Sequence, residues 1–235
     1  MLSERYGKAC PICHVDWDVN QSHSLQTCCC RIICPECGDR LRASGVPCPL
    51  CQEPSAKSDE EEVARLRRHV ENGIPEAMDT LGSKYYRVGD CGLKKSAKKA
   101  ARLYERAVEL GSVDAMVNLG VLLECGATGV KIDMKKAARL YRMAADRGDA
   151  VAQHNLGLIS AKAGDFGEAA RLFGLSAAQG FTNAQCSLGF CHYSGHGVPA
   201  NRDEAKRLWR LAAAKGHEKA MRNLRDFMGE PFPPH

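Results

Sequence analysis

The stretch KKAARLYRMAADRGDAVAQHNLG, residues 135–157, holds the pattern that decides the fold. Its first half sets small Ala138 against the larger pair Leu140–Tyr141 at helical spacing, an alternation that lets neighbouring helices approach and interlock. Gly148 then stands where a helix ends in a left-handed residue, and AVAQHNLG opens the next element. One helix, a tight turn and a second helix are thus predicted from one short window.

Outward from this window the same text recurs. PEAMDTLG (Pro75 to Gly82), VDAMVNLG (Val113 to Gly120), AVAQHNLG (Ala150 to Gly157) and TNAQCSLG (Thr182 to Gly189) superimpose, and EKAMRNL is a fifth, incomplete copy. The matching alanines Ala77, Ala115, Ala152, Ala184 and Ala220 are 38, 37, 32 and 36 residues apart. Each copy has a second half, KKAARLYERAVELGS, KKAARLYRMAADRGD, GEAARLFGLSAAQGF or DEAKRLWRLAAAKGH, closed by Gly111, Gly148, Gly180 or Gly216. A period of this length predicts an all-α solenoid of helical hairpin repeats.

This succession of an alanine, Leu-Gly, an aromatic, a glycine-bearing turn, Lys-Ala, Leu-Tyr, Ala-Ala and glycine resembles the Sel1-like repeats, relatives of the tetratricopeptide repeats. The resemblance covers residues 73–228, about four and a half copies, with GHGVPANRDEAKRLWRLAAAKGH (Gly195 to His217) the nearest match and AGDFGEAA a shortened turn in the third. The preceding acidic run, Asp59 to Glu62, suits a helix start, and VARLRRHVEN (Val63 to Asn72) is expected to cap the stack. Residues 58–72 are therefore read as acidic linker and capping helix, and 229–235 as a Pro-rich tail.

Residues 1–57 differ in kind. Nine of the thirteen cysteines lie between Cys10 and Cys51, and the chain opens on the polar MLSERYGK with no apolar run of signal-peptide or membrane-spanning length. Paired cysteines without a secretory signal point to metal instead of disulfides, and to an intracellular address in cytoplasm or nucleus. Cys10-x2-Cys13, the triplet Cys28-Cys29-Cys30, Cys34-x2-Cys37 and Cys48-x2-Cys51 have the spacing that lets a tight turn aim two thiolates at one zinc. Eight such ligands make two closed structural sites, with no position left for a catalytic water.

This arrangement resembles a RING finger, a small irregular α+β zinc domain with cross-braced metals. The resemblance implies that Cys10, Cys13, Cys34 and Cys37 hold one ion, and that Cys48 and Cys51 hold the other with two of the triplet. Arg31 occupies the usual histidine place and cannot ligate, so the all-cysteine variant uses Cys28 with Cys29, or Cys28 with Cys30; His14 and His23 are further candidates. The family recruits a ubiquitin-conjugating enzyme. Ile12, Pro49 and Leu41 match its apolar contact surface, while Gln52 stands where a basic residue is common. The resemblance implies a ubiquitin ligase with no covalent catalytic residue, its repeats docking a substrate or adaptor. The alternative is a non-catalytic zinc-binding scaffold, which Gln52 favours.

Other residues bear on partners. Asn118, Asn155 and Asn223 share one register and mark a repeat groove. Relatives use an asparagine of the first helix to bind peptide backbone, while the pattern itself favours bridging between helices or capping of turns. Arg102, Arg106, Arg139 and Arg142 read as solvated faces. LKKSAKKAAR (Leu93 to Arg102) is strongly basic but lacks interleaved aromatics, and with a net charge of only +5 the chain is not expected to bind nucleic acid. Cys91, Cys125, Cys186 and Cys191 are expected as small buried hydrophobes. His192 and His196 are four apart, but Gly195 and Gly197 put His196 in a turn.

Overall fold

Short polar side chains start most of the helices. In the computed structural model, which describes residues 24–26, 31–33, 56–87 and 93–229, helix α1 (Asp59–Glu71) follows Ser58, whose hydroxyl accepts from the Glu61 N–H. Helix α2 (Pro75–Tyr86) begins with proline, whose missing N–H is no loss in a first turn. Ser96, Ser112, Asp133, Asp149 and Asp165 cap α3 (Ala97–Glu109), α4 (Val113–Cys125), α5 (Met134–Ala145), α6 (Ala150–Lys162) and α7 (Phe166–Ala178). After the uncapped α8 (Thr182–Ser194), Asn201 caps α9 (Arg202–Ala214) and His217 caps α10 (Glu218–Met228). Each cap contributes about 1 kcal/mol to helix stability.

Strands β1 (Ser24–Gln26) and β2 (Arg31–Ile33) pair antiparallel, with Ser24 opposite Ile33 and Gln26 opposite Arg31. Three residues are too few to display the period-two alternation by which a strand is read. The strands flank the cysteine triplet in sequence.

The chain divides into two compact units, the first ending at Arg147 and the second beginning at Gly148. In the first, α1 lies on α2, and the hairpins α2–α3 and α4–α5 follow. In the second, α6 pairs with α7, α8 with α9, and α10 packs on α9. Each unit is a stack of helical hairpins, the all-α solenoid class expected from the period. Gly148 and Gly180 close their helices at a left-handed φ of 84°, as the pattern predicts.

The Leu-Gly of each first helix has a mechanical role. A methyl group on Gly82 would lie 2.7 Å from the Tyr104 ring, on Gly120 2.6 Å from Tyr141, on Gly157 2.7 Å from Phe173 and on Gly189 2.6 Å from Trp209. Each glycine is therefore the floor of a socket that receives the aromatic of the second helix in the same hairpin. Tyr104, Tyr141, Phe173 and Trp209 are all buried, and Tyr141 and Trp209 are fully enclosed. Their polar ends are partnered. The Tyr104 hydroxyl meets Ser83 Oγ at 3.0 Å, Tyr141 donates to Glu124 Oε2 at 3.1 Å, and the Trp209 indole N–H donates to the Cys186 carbonyl at 3.0 Å. Phe173 has no polar end to satisfy.

The cysteine expectation holds for Cys186 and Cys191, which are buried, and fails for Cys125, which is exposed. Cys125 is the last residue of α4, where Gly126 turns the chain at a φ of 67°. Cys91 lies outside the described residues.

Candidate functional site

In the second unit the first helices of successive hairpins line a cleft of about 370 Å³. Helical spacing puts His154, Leu158 and Ala161 of α6 on one face, Asn183, Ser187 and Phe190 of α8 on another, and Lys219 and Asn223 of α10 on a third. Phe166, Ala169 and Phe173 of α7 close the cleft at one end, with His196 from the α8–α9 connection. His217, the cap of α10, sits with Asn183 at the other end.

One end is apolar and incompletely covered. Leu158, Phe166 and Phe190 remain 37%, 42% and 45% exposed and lie together on one lining, where it is their grouping that is informative. The His196 ring stacks on Phe166 with centroids 4.8 Å apart, and lies 6.3 Å from Phe190. The turn that presents His196 is tightly built. Gly197 has a φ of +74°, and a Cβ there would overlap the Phe166 carbonyl, so only glycine lets the turn pass so near the start of α7.

The other end is polar and ordered by hydrogen bonds. His217 Nδ1 accepts from the Ala220 N–H at 3.2 Å, so its proton lies on Nε2, which donates to Asn183 Oδ1 at 2.8 Å. The Ser187 hydroxyl donates to the Asn183 carbonyl at 3.0 Å and meets His154 Nε2 at 3.3 Å. Burial holds the His154 pKa below the ordinary imidazole value, with smaller contributions from the nearby charges of His217 and Lys219. His217 is lowered too, chiefly by burial and further by Lys219. Burial pushes the Cys186 thiol up to about 11 and raises Cys191 as well, so neither is a thiolate nucleophile near neutrality.

The three asparagines of the predicted groove have different surroundings. Asn118, in the first unit, donates to Asp79 Oδ1 at 2.7 Å and bridges α2 and α4. Asn155 Oδ1 lies 3.4 Å from His154 Nδ1. Asn223 is buried and lines the cleft; with its amide oxygen towards Trp209 Nε1 and its nitrogen towards the Lys219 carbonyl, it has 3.3 Å contacts to both. Of the basic residues, Arg102, Arg106, Arg139 and Arg142 are exposed, and Arg106 also reaches the Val70 carbonyl at 3.3 Å. In the basic run, the Lys99 ammonium lies 5.1 Å from the Tyr85 ring centroid.

Cys10, Cys13, Cys28, Cys29, Cys30, Cys34, Cys37, Cys48 and Cys51, with Ile12, Leu41, Pro49 and Gln52, lie outside the described residues, as does the tail from residue 230. Among the described residues, no three or more His, Cys, Asp or Glu side chains come together as metal ligands. No helix there is long and apolar enough to cross a membrane.

The Sel1 repeat family model matches four consecutive segments, 75–112, 113–149, 150–181 and 182–217, more than half of the chain. The chain belongs to the Sel1 repeat family. Its Sel1 repeats are similar to those of c5321, described as a protective antigen of uropathogenic Escherichia coli with an SLR fold. The identity is 26% and the TM-score 0.68, over 76% of this chain and 39% of that longer one. A Sel1 repeat protein from Oxalobacter formigenes is also 26% identical with a TM-score of 0.68, over 77% of this chain and 74% of the other. The immunity protein Pa5087 from Pseudomonas aeruginosa shares the fold at 20% identity and a TM-score of 0.53, over 83% and 71% of the two chains. No curated protein sequence matches the chain.

The Sel1 segments begin each repeat at the first helix and end it at or just beyond the closing glycine, so every glycine–aromatic socket lies within one repeat. The cleft, in contrast, is assembled from side chains of successive repeats. Sequence reasoning missed it because His154, Phe190 and Lys219 stand at positions where the copies differ. The available signal was that difference: Asp79, Val117, His154, Cys186 and Arg222 share one register yet have nothing else in common.

Proposed function

We propose that this Sel1 repeat chain is a protein-interaction scaffold that engages its partner on the first-helix face of the second unit. The observation that carries the reading is the cleft, where three large apolar side chains stay exposed beside an ordered polar end. Contiguous apolar surface rimmed by polar groups is the mark of a binding surface. The test compares the full chain with Phe190→Glu as bait, identifies the retained protein, and rebuilds the pair from pure components. A stoichiometric complex weakened by Phe190→Glu supports the reading; a folded wild-type chain that retains no partner overturns it.

The cysteine spacing supports a second reading at the amino end. We propose that Cys10, Cys13, Cys34 and Cys37 bind one structural zinc, and that Cys48 and Cys51 bind a second with Cys28 and either Cys29 or Cys30. Such a RING-type module would use Ile12, Leu41 and Pro49 to recruit a ubiquitin-conjugating enzyme, while the repeats hold the substrate or adaptor. It would act by proximity, with Gln52 in place of a cation. For such a zinc-thiolate module and partner we propose the cytoplasm or nucleus as the compartment. Metal analysis should give two zincs per chain, and autoubiquitination with a panel of conjugating enzymes should disappear in Ile12→Ala. A zinc-loaded folded chain that forms no product with any of them sinks the ligase and leaves a zinc-bearing scaffold.

A further inference from the structure

We infer that the cleft of the second unit takes an acidic peptide segment, one that places a single bulky apolar side chain beside a carboxylate. The inference rests on the scaffold reading above and names the chemistry of the partner.

The apolar end fixes the first requirement. Leu158, Phe166 and Phe190 are each more than a third exposed, and they surround a volume of about 370 Å³. That volume lies near the lower end of the roughly 300–1,000 Å³ typical of ligand sites. One or two side chains fill it, and an aromatic ring can add to the Phe166–His196 stack.

The polar end fixes the second. Lys219, His217, His154, Asn183 and Ser187 line it, and among the described residues no aspartate or glutamate does. The Lys219 side chain is exposed and lines this end, beside His217, the cap of its own helix. Asn183 is held by the His217 N–H at its oxygen, which leaves its NH₂ group to donate to a ligand. Glu218 lies near His217 but outside the lining, and the donors and the ammonium that do line this end are complementary to a carboxylate.

The first unit supplies the contrast. Lys219 and Asn183 have Glu76 and Asp114 as their counterparts in register, and His154 has Asp79. Glu76 and Asp114 would repel an acidic peptide at the register positions where Lys219 and Asn183 favour one, so this character belongs to the second unit and is not a general property of the repeat.

A random twelve-residue peptide library displayed on phage and selected on the full chain tests the inference. The expected winners carry an aromatic or large aliphatic residue within two positions of Asp or Glu. Their synthetic copies should bind about tenfold more weakly when the acid is replaced by its amide, and as weakly to Lys219→Glu or Phe190→Glu. Both side chains are exposed, so far-UV circular dichroism of the variants should match the wild type. Selection repeated on Lys219→Glu should enrich basic residues in place of acidic ones. Winners without acidic residues, or winners that bind Phe190→Glu equally well, overturn the inference while a partner retained by the full chain keeps the scaffold reading. Selection that enriches nothing, or a small molecule found filling the cleft, overturns it as well.

Discussion

Gly120→Ala should destabilise the chain even though alanine is the better helix former. In a helix interior the exchange by itself gains about 1 kcal/mol. The new methyl group would sit 2.6 Å from Tyr141 Cε1 and 3.0 Å from Cδ1, against a ring that is fully enclosed and whose hydroxyl is tied to Glu124. Overpacking of that kind costs about 1–3 kcal/mol. With so short an approach the upper part of that range applies, which leaves a net loss of about 1–2 kcal/mol after the helix gain. Removing the ring reverses the balance. In a Tyr141→Val background the methyl group has space and Gly120→Ala should stabilise by about 1 kcal/mol, giving a coupling of about 2–3 kcal/mol between the two positions. Urea unfolding of the four proteins, followed by far-UV circular dichroism, measures the cycle, and hydrogen exchange of α4 and α5 localises it. The same sign in both backgrounds, or a coupling below about 0.5 kcal/mol, would refute the socket as the reason for the glycine.

Three other outcomes follow from single residues. Burial raises the Asp79 carboxyl from its ordinary 3.8 to about 7, opposed by the Asn118 hydrogen bond and helped by the nearby charges of Asp114 and Glu76. The unfolded state therefore releases this proton first, and the group drains stability as pH rises from about 4 to 7; Asp79→Asn should be more stable than wild type by about 2–4 kcal/mol at pH 8 and equal to it near pH 3.5 in urea titrations. His154 is held below 6.5 in the fold, so acidification below that value protonates the unfolded chain preferentially and weakens the second unit. The drop in unfolding midpoint between pH 7.5 and 5.5 should be smaller in His154→Gln, and an equal drop would count against the assignment. Gly197→Ala should lower stability by about 2 kcal/mol or more through strain and overlap with the Phe166 carbonyl. Faster hydrogen exchange confined to the α8–α9 connection and the start of α7 is its signature, and a thermal midpoint unchanged from wild type would reject it.

The helices and their ends were legible because they repeat. Gly148 and Gly180 recur at the close of a helix, and a recurring stop says more than a single one. The Leu-Gly glycines recur as plainly, yet their purpose was not legible. The group each one accommodates comes from another helix, and Phe173 reaches Gly157 even though the third hairpin turns through only Ala163, Gly164 and Asp165. The cleft was hidden for the opposite reason. Lys219, His154 and Phe190 break the repeat, and only the stacking of α6, α8 and α10 brings such exceptions to one place. Cys125 misled because burial was assigned by residue type, whereas its place beside Gly126 at a helix end decides its exposure.

The sockets also bear on how such a chain can lengthen. A duplication cut at Gly111–Ser112 or Gly148–Asp149 copies a glycine together with the aromatic that fills it, and the added hairpin arrives already able to close. Gain or loss of a single helix, such as α5 without α4, separates Gly120 from Tyr141, leaving either an unfilled hollow or an unhoused ring. Either defect is of the size that unfolds a marginal domain. The unit in which copies can be added or lost is therefore a pair of helices, set by packing inside the hairpin, and it has the length of the recognised repeats.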